Sequence, residues 1–303
     1  MELSQPTTIE RPCPICASKQ YLHFANETLD EKKLTSFSYA SRKQPEFMCL
    51  HLVTCSQCSL VYAPSPPTSN FLLKSYCDAD YDSNDEARCA AKSYAKALKP
   101  YIKKLKLRCG AVDVGAGNGL LLPWLLKFGF KSVLGIEPSA KAIDAAPASI
   151  KPMLKQGMFD SGMINKLDLS LICSFMTLEH IDNPKEFVTS AYQSLQQEGM
   201  IAIVVHNRQG FLNRVLGLKS PIIDIEHLQL YNRDSIYYLL KSSGFKEIKI
   251  QSISNSYPLK YWLRLMPLPD KLKKWIDQLL QKLSISTIKI PLRVGNILAV
   301  GYK

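Results

Sequence analysis

Asp113-Val114-Gly115-Ala116-Gly117-Asn118-Gly119 is the stretch on which the reading of this chain turns. Ahead of the glycines, Gly110-Ala111-Val112-Asp113-Val114 is a short apolar strand, and helical periodicity follows in Leu120-Leu121-Leu122-Pro123-Trp124-Leu125-Leu126. Strand, glycine turn and helix, in that order, form the context in which such a loop holds a ligand. Glycines let the backbone pass close beneath it, and amides at the helix start point at it. Leu120 stands where a dinucleotide fold would place a further glycine, which argues against a pyrophosphate. A second strand, Ser132–Ile136, ends in Glu137, 18 residues past Gly119. An acid at that strand tip can accept both hydroxyls of a ribose.

Farther out, a helical pattern runs from Asp85 to Leu107, with Pro100 expected to kink or split it. Leu167–Ser174 reads as a fourth strand and Ile201–Val205 as a fifth, after a helix expected to end at Gln197-Glu198-Gly199. Val294–Val300 reads as the last strand.

From about Ala111 to the C-terminus these residues resemble the class I S-adenosylmethionine-dependent methyltransferases. The resemblance implies an α/β fold: a Rossmann-like, seven-stranded, mostly parallel sheet with helices on both faces. It puts Asp113 near the methionine amino group, and Gly115, Ala116, Gly117, Asn118 and Gly119 under the methionine and ribose. Glu137, followed by Pro138, goes to the ribose. Met158 and Phe159 would flank the adenine, with Asp160 as a weaker contact, and Ser174 at the end of the fourth strand joins the same set. Phe175–Pro184 resembles the family's Leu-Glu-His-Ile turn, and Glu226–Tyr231 with Ser242–Phe245 resembles its late helix-and-strand region.

Cys13-Pro14-Ile15-Cys16 and Cys55-Ser56-Gln57-Cys58 are two tight cysteine pairs. Two residues between thiolates let both sulfurs face one ion, so the pairs supply four tetrahedral ligands for a structural Zn2+. Cys49 and His51, in the 38-residue spacer, are alternative ligands. Neither pair opens a helix after a strand, which argues against a thioredoxin-like redox role. A zinc-ribbon-like head of this kind resembles that of a bacterial subgroup of sugar and small-molecule methyltransferases. The expected division is a zinc module over residues 1–80 and a methyltransferase domain over 81–303, with Tyr76–Glu86 as the linker.

Methyl transfer is an in-line displacement at a sulfonium carbon, so the protein orients the acceptor and excludes water. A hydroxyl or carbon acceptor also needs a base. His180, just past the fourth strand, is the first candidate; His206 and His227 are its rivals. Glu179 would orient the cofactor or the turn, or act as a helix N-terminal acid.

At 46% hydrophobic and 21% charged, the 303 residues describe a globular protein, and no apolar run is long enough to cross a bilayer. Met1–Pro6 lacks a secretory pattern, so a cytoplasmic location is expected. The net charge of +12 suits an anionic small-molecule acceptor, a nucleic acid or a membrane surface. Residues 255–290 form a basic, amphipathic segment, read as a lid or as the part that meets the inner face of a membrane. An RNA methyltransferase is the rival reading. It is disfavoured because Ser174-Phe175-Met176-Thr177 replaces the proline-aromatic motif of base-methylating enzymes. A non-enzymatic nucleotide binder is the third reading.

Overall fold

The computed structural model describes residues 8–35, 37–40, 45–164 and 167–303; Met1–Pro6, read above for a leader, falls outside them. The chain begins with strands β1 (Tyr21–Ala25), β2 (Leu52–Cys55) and β3 (Val61–Tyr62), then helices α1 (Ser69–Asp78) and α2 (Asn84–Ile102). Next come β4 (Gly110–Val114), α3 (Leu122–Lys127), β5 (Ser132–Glu137), α4 (Ala140–Asp144), β6 (Leu154–Gln156) and β7 (Leu169–Phe175). They are followed by α5 (Pro184–Ser194), β8 (Leu195–His206), α6 (Phe211–Leu216), β9 (Gln229–Leu230) and α7 (Arg233–Ser242). The chain ends with β10 (Lys246–Ser252), β11 (Asn255–Pro258), α8 (Leu259–Leu265), α9 (Asp270–Lys282), β12 (Lys289–Leu292) and β13 (Asn296–Tyr302).

Seven strands form the expected sheet, in the order β10-β13-β8-β7-β4-β5-β6. Only β13 runs against its neighbours; the pairs β4–β5, β4–β7, β5–β6 and β7–β8 are parallel. A parallel sheet is covered on both faces, so its central strands are apolar throughout. β7 is buried along its whole length, and alternate residues serve opposite layers. Ile172, Ile201, Ile203 and Val205 pack with Phe187, Val188, Leu239 and Leu240. Leu171, Cys173, Ala202 and Val204 pack with Tyr94, Leu98 and Leu125 on the other side. Local signals set the helix starts. Asn183 caps α5 ahead of Pro184, and Asn232 with Ser235 forms a reciprocal capping box on α7.

From β4 the chain builds β5 and β6 outward on one side, then returns to lay β7 and β8 on the other. The order thus reverses between β4 and β7, where open α/β sheets bind ligands beyond the strands' carboxyl ends.

A second, antiparallel sheet has the order β1-β2-β3-β9. Three of its strands lie in the first 80 residues, and the fourth comes from Gln229–Leu230, with Val61 opposite Leu230 and Tyr62 opposite Gln229. Cys13, Cys55, Cys58, Leu60 and Tyr62 share one apolar cluster with the main sheet.

Several local expectations give way. The stretch read as a linker contains the end of α1, and Tyr76 packs edge-on against Tyr39 and His180. Pro100 does not split α2: it sits in the last turn, where the missing amide costs one bond, and the helix runs on to Ile102. Gln197-Glu198-Gly199 belongs to β8 rather than to a helix end, because α5 stops at Ser194.

Candidate active site

The loops that follow β4 to β8 surround one cavity of about 1120 Å3. Its first wall is the glycine loop. Gly115, Gly117 and Gly119 all have left-handed backbone, at φ +74°, +56° and +71°. The Gly115 and Ala116 amides both donate to the Ile136 carbonyl, which ties the loop to the neighbouring strand. Glu137 holds the same loop from the side: its Oε2 accepts from the Gly117 amide at 2.7 Å and its Oε1 from the Ser139 amide at 2.9 Å. Pro138, Asn118, Met158 and Phe159 also reach this wall, and Phe159 is braced edge-on by Phe187. Asp113 and Asp160 line the cavity too. Ser174 does not: it is fully buried within β7, and the wall begins one residue later, at Phe175.

The glycines differ in what they tolerate. A Cβ on Gly115 would lie 2.2 Å from Thr177 Oγ1, whereas one on Gly117 would meet nothing within 4 Å. Gly115→Ala is therefore expected to lose about 1–3 kcal/mol of stability from backbone strain alone, and more from the clash. Gly117→Ala is expected to fold better than Gly115→Ala and yet to bind an adenosine ligand at least about tenfold more weakly, a loss of about 1.4 kcal/mol. Thermal melts beside calorimetry on both variants check this; equal losses of stability would contradict it.

The opposite wall carries three of the chain's five histidines. His180 Nδ1 lies 2.9 Å from the Glu226 carbonyl, and His227 Nδ1 lies 2.9 Å from the Ile222 carbonyl. A carbonyl can only accept, so both rings donate from Nδ1, and His227, when neutral, keeps an acceptor lone pair on Nε2. His227 sits between the other two, with ring centroids 4.9 Å from His180 and 5.3 Å from His206. The Glu226 carboxylate is 3.8 Å from His227 Nε2. Burial pushes His227 well below the usual histidine range, helped by His180 and His206 and opposed by Glu179.

Glu179, fully buried, is neither at a helix start nor on the cavity wall. Its Oε1 accepts from the His206 amide at 2.7 Å and lies 3.2 Å from His206 Nδ1. Burial alone would raise its pKa; the His206 imidazole beside it, with His227 and His180 farther off, outweighs that and holds it below the ordinary carboxylate value. Glu179 thus braces the turn against the end of β8 instead of facing the cofactor or capping a helix.

The lining includes residues that the sequence did not single out. Asn255 and Asn296 are buried at the wall and Tyr76 is half-buried there; the Tyr76 hydroxyl and the Oδ1 atoms of both asparagines are buried and have no hydrogen-bond partner among the described residues.

Cys13, Cys16, Cys55 and Cys58 come together away from the cavity, their sulfurs all within 4.8 Å of one another. The Cys13–Cys58 and Cys16–Cys55 pairs are each 3.4 Å apart. A tetrahedron with Zn–S bonds of about 2.3 Å has an edge of about 3.8 Å, so the donor set fits a zinc ion. The two turns share one geometry: Ala17 donates to the Cys13 carbonyl and Ser59 to the Cys55 carbonyl, and both donors have left-handed backbone. Neither Cys49 nor His51 joins them. Cys49 is bonded to Thr28 and Asn26, and His51 stacks on His23.

Known proteins resemble this chain at several levels. A Dictyostelium discoideum protein, the mitochondrial ubiquinone biosynthesis O-methyltransferase, is 26% identical over 130 residues, which span 35% of this chain and 38% of that relative's length. Two solved structures are also similar to it, at lower identity. A S-adenosylmethionine-dependent methyltransferase from Archaeoglobus fulgidus is 16% identical, with a TM-score of 0.47 over 78% of this chain and 100% of its own. A possible histamine N-methyltransferase from Thermotoga maritima is 19% identical, with a TM-score of 0.44 over 72% of this chain and 90% of its own. The model of the methyltransferase domain family matches residues 83–250, from the start of α2 into β10. That is more than half of the sequence and includes the glycine loop, Glu137 and all three cavity histidines, so the chain belongs to the methyltransferase domain family.

Proposed function

We propose that this chain transfers the methyl group of S-adenosylmethionine to a small acceptor rich in hydroxyls, such as a nucleotide-linked or lipid-linked sugar. The observation that carries this is one cavity of about 1120 Å3 with the glycine loop and Glu137 on one wall and three histidines on another. Such a volume has room for a nucleoside-sized donor and a small acceptor together. Bound there, the cofactor supplies a methyl group on a sulfonium that already leaves readily.

The chain's own residues then have three tasks. The glycine loop and Glu137 hold the donor's ribose end, Met158 and Phe159 flank its base, and His227 Nε2 takes the acceptor's proton. His227 Nε2 would receive the O–H proton as the acceptor oxygen takes the methyl group, so the positive charge lost by the sulfonium would reappear on the imidazolium. Glu226, 3.8 Å from that nitrogen, would stabilise the imidazolium. His180 and His206 would position the acceptor. Asn255 Oδ1 and Asn296 Oδ1, buried and without partners, call for donors such as sugar hydroxyls. The structural zinc in the cysteine set is part of the same reading.

Calorimetry with S-adenosylhomocysteine, followed by a screen of nucleotide-linked and lipid-linked sugars with labelled donor, tests the proposal. Micromolar binding and label in a sugar are expected. Binding of NAD with none of S-adenosylhomocysteine would sink it.

A further inference from the structure

The surface beside the cavity carries an apolar and basic pattern that methyl transfer does not use. α9 buries none of its 13 residues. Leu272, Trp275, Leu279 and Leu283 are all exposed, Trp275 at 60%. Spaced three, four and four apart, they make one stripe along the helix. At the same helical spacing Lys271 and Lys282 border the stripe, and Asp270 and Asp277 fall on the far side. Ile276 and Leu280, on the adjoining strip, are half-buried, and α9 is tied down by Lys273 Nζ donating to the Arg264 carbonyl at 3.0 Å.

Two further apolar groups adjoin the cavity. In α6 and the turn after it, Phe211 is 85% exposed, and Val215 and Leu218 are exposed beside Arg214 and Lys219. Met266 and Leu292 are exposed as well. Leu212 and Leu216 of α6, with Met266 and Leu292, also form part of the cavity wall, so this exposed apolar surface is continuous with the cavity lining.

Charge decides what covers this face. A second copy would bring the same lysines and the same net charge of +12 against it. Lysine is also depleted from protein–protein interfaces. A leucine and tryptophan stripe edged by lysine instead suits a helix lying in the headgroup plane of an anionic bilayer. We infer that α9, together with α6, docks the protein on an anionic lipid surface with its cavity opening beside the headgroups. The docking does not depend on methyl transfer, and donor binding is measured separately.

The test is sedimentation of the full chain with vesicles of phosphatidylcholine alone or mixed with phosphatidylglycerol. Binding to the mixed vesicles only is expected, weakening as salt rises. Lys271→Ala and Lys282→Ala should each lower partitioning about fivefold. Trp275→Asp with Leu279→Asp should lower it at least about tenfold, as should Phe211→Asp, since a charge replaces an inserted apolar group. None of these residues lines the cavity, so all variants should bind S-adenosylhomocysteine like the parent, which also shows that they fold. Equal sedimentation with and without the anionic lipid, or unchanged binding by the Trp275 and Leu279 double variant, overturns the inference. So does a dimer that this variant dissociates while the parent ignores vesicles.

Discussion

Cys55→Ser is expected to abolish zinc binding by the proposed four-cysteine site, lower thermal stability sharply and slow methyl transfer while sparing donor binding. Structural zinc in small finger peptides contributes on the order of 10 kcal/mol at neutral pH, so one missing thiolate is a large loss. The sulfurs are held by two turns of the same geometry, and three of the four cysteines are almost wholly buried. What makes the effect reach the chemistry is connectivity. The Cys55 turn joins β2 to β3, β3 pairs with β9, and β9 begins two residues after His227. Arg11, two residues before Cys13, binds the Asp182 carboxylate at 3.1 Å and Gln229 Oε1 at 3.2 Å. The Gln229 amide in turn donates to the Leu178 and Ile181 carbonyls on either side of His180. Loosening the zinc turns should therefore displace the histidine wall. The glycine loop, held by β4 and β5, should keep its grip on the donor. Metal analysis should find one zinc per parent chain and none in Cys55→Ser, with Cys49→Ser as a control that retains it. A parent without zinc, or a Cys55→Ser protein as stable and active as the parent, would refute this.

The parts of the site that are legible in the sequence are those carried by contiguous residues. Gly115 to Gly119 and Glu137 lie within 23 residues and two adjacent strands, so their spacing already implies their neighbourhood. Each cysteine pair is likewise a local turn, though only the fold could say that Cys49 and His51 stay outside the cluster. The histidine wall is different. His180 follows β7, His206 ends β8 and His227 precedes β9, and no periodicity connects them; the fold brings them within ring contact. Tyr76 was hidden for another reason. Its polar neighbours have the composition of a linker, yet α1 turns its ring onto His180. Ser174 was misplaced by strand parity, since adjacent residues of β7 face opposite layers and only the end of the strand meets the cavity. Asn255 and Asn296 flank the insertion containing α8 and α9, and only the pairing of β11 with β12 and of β13 with β8 draws both to one wall.

His227→Asn is expected to lower kcat by about 10²–10⁴-fold with donor affinity unchanged, the range for loss of a positioned general base. Asparagine is chosen because its amide nitrogen falls near the place of Nδ1. It can still donate to the Ile222 carbonyl, which in the parent is 2.9 Å away, while offering no basic nitrogen to the acceptor. A structural role for His227 would survive that substitution, and a catalytic one would not. The pH profile separates the cases further. A base works only when neutral, and a depressed pKa keeps His227 neutral as the pH falls through the ordinary histidine value of about 6.5. The parent's rate should therefore hold through pH 6.5 and decline only in more acidic solution, and the residual rate of His227→Asn should lack that decline. Acceptors whose nucleophile is already a carboxylate give the internal control, because they surrender no proton and should lose little in the variant. A rate that halves above pH 6.5 in the parent, or equal losses for hydroxyl and carboxylate acceptors, would move the base elsewhere on the wall. His180 would be the next residue to test, since its Nδ1–H is anchored in the same way on the Glu226 carbonyl.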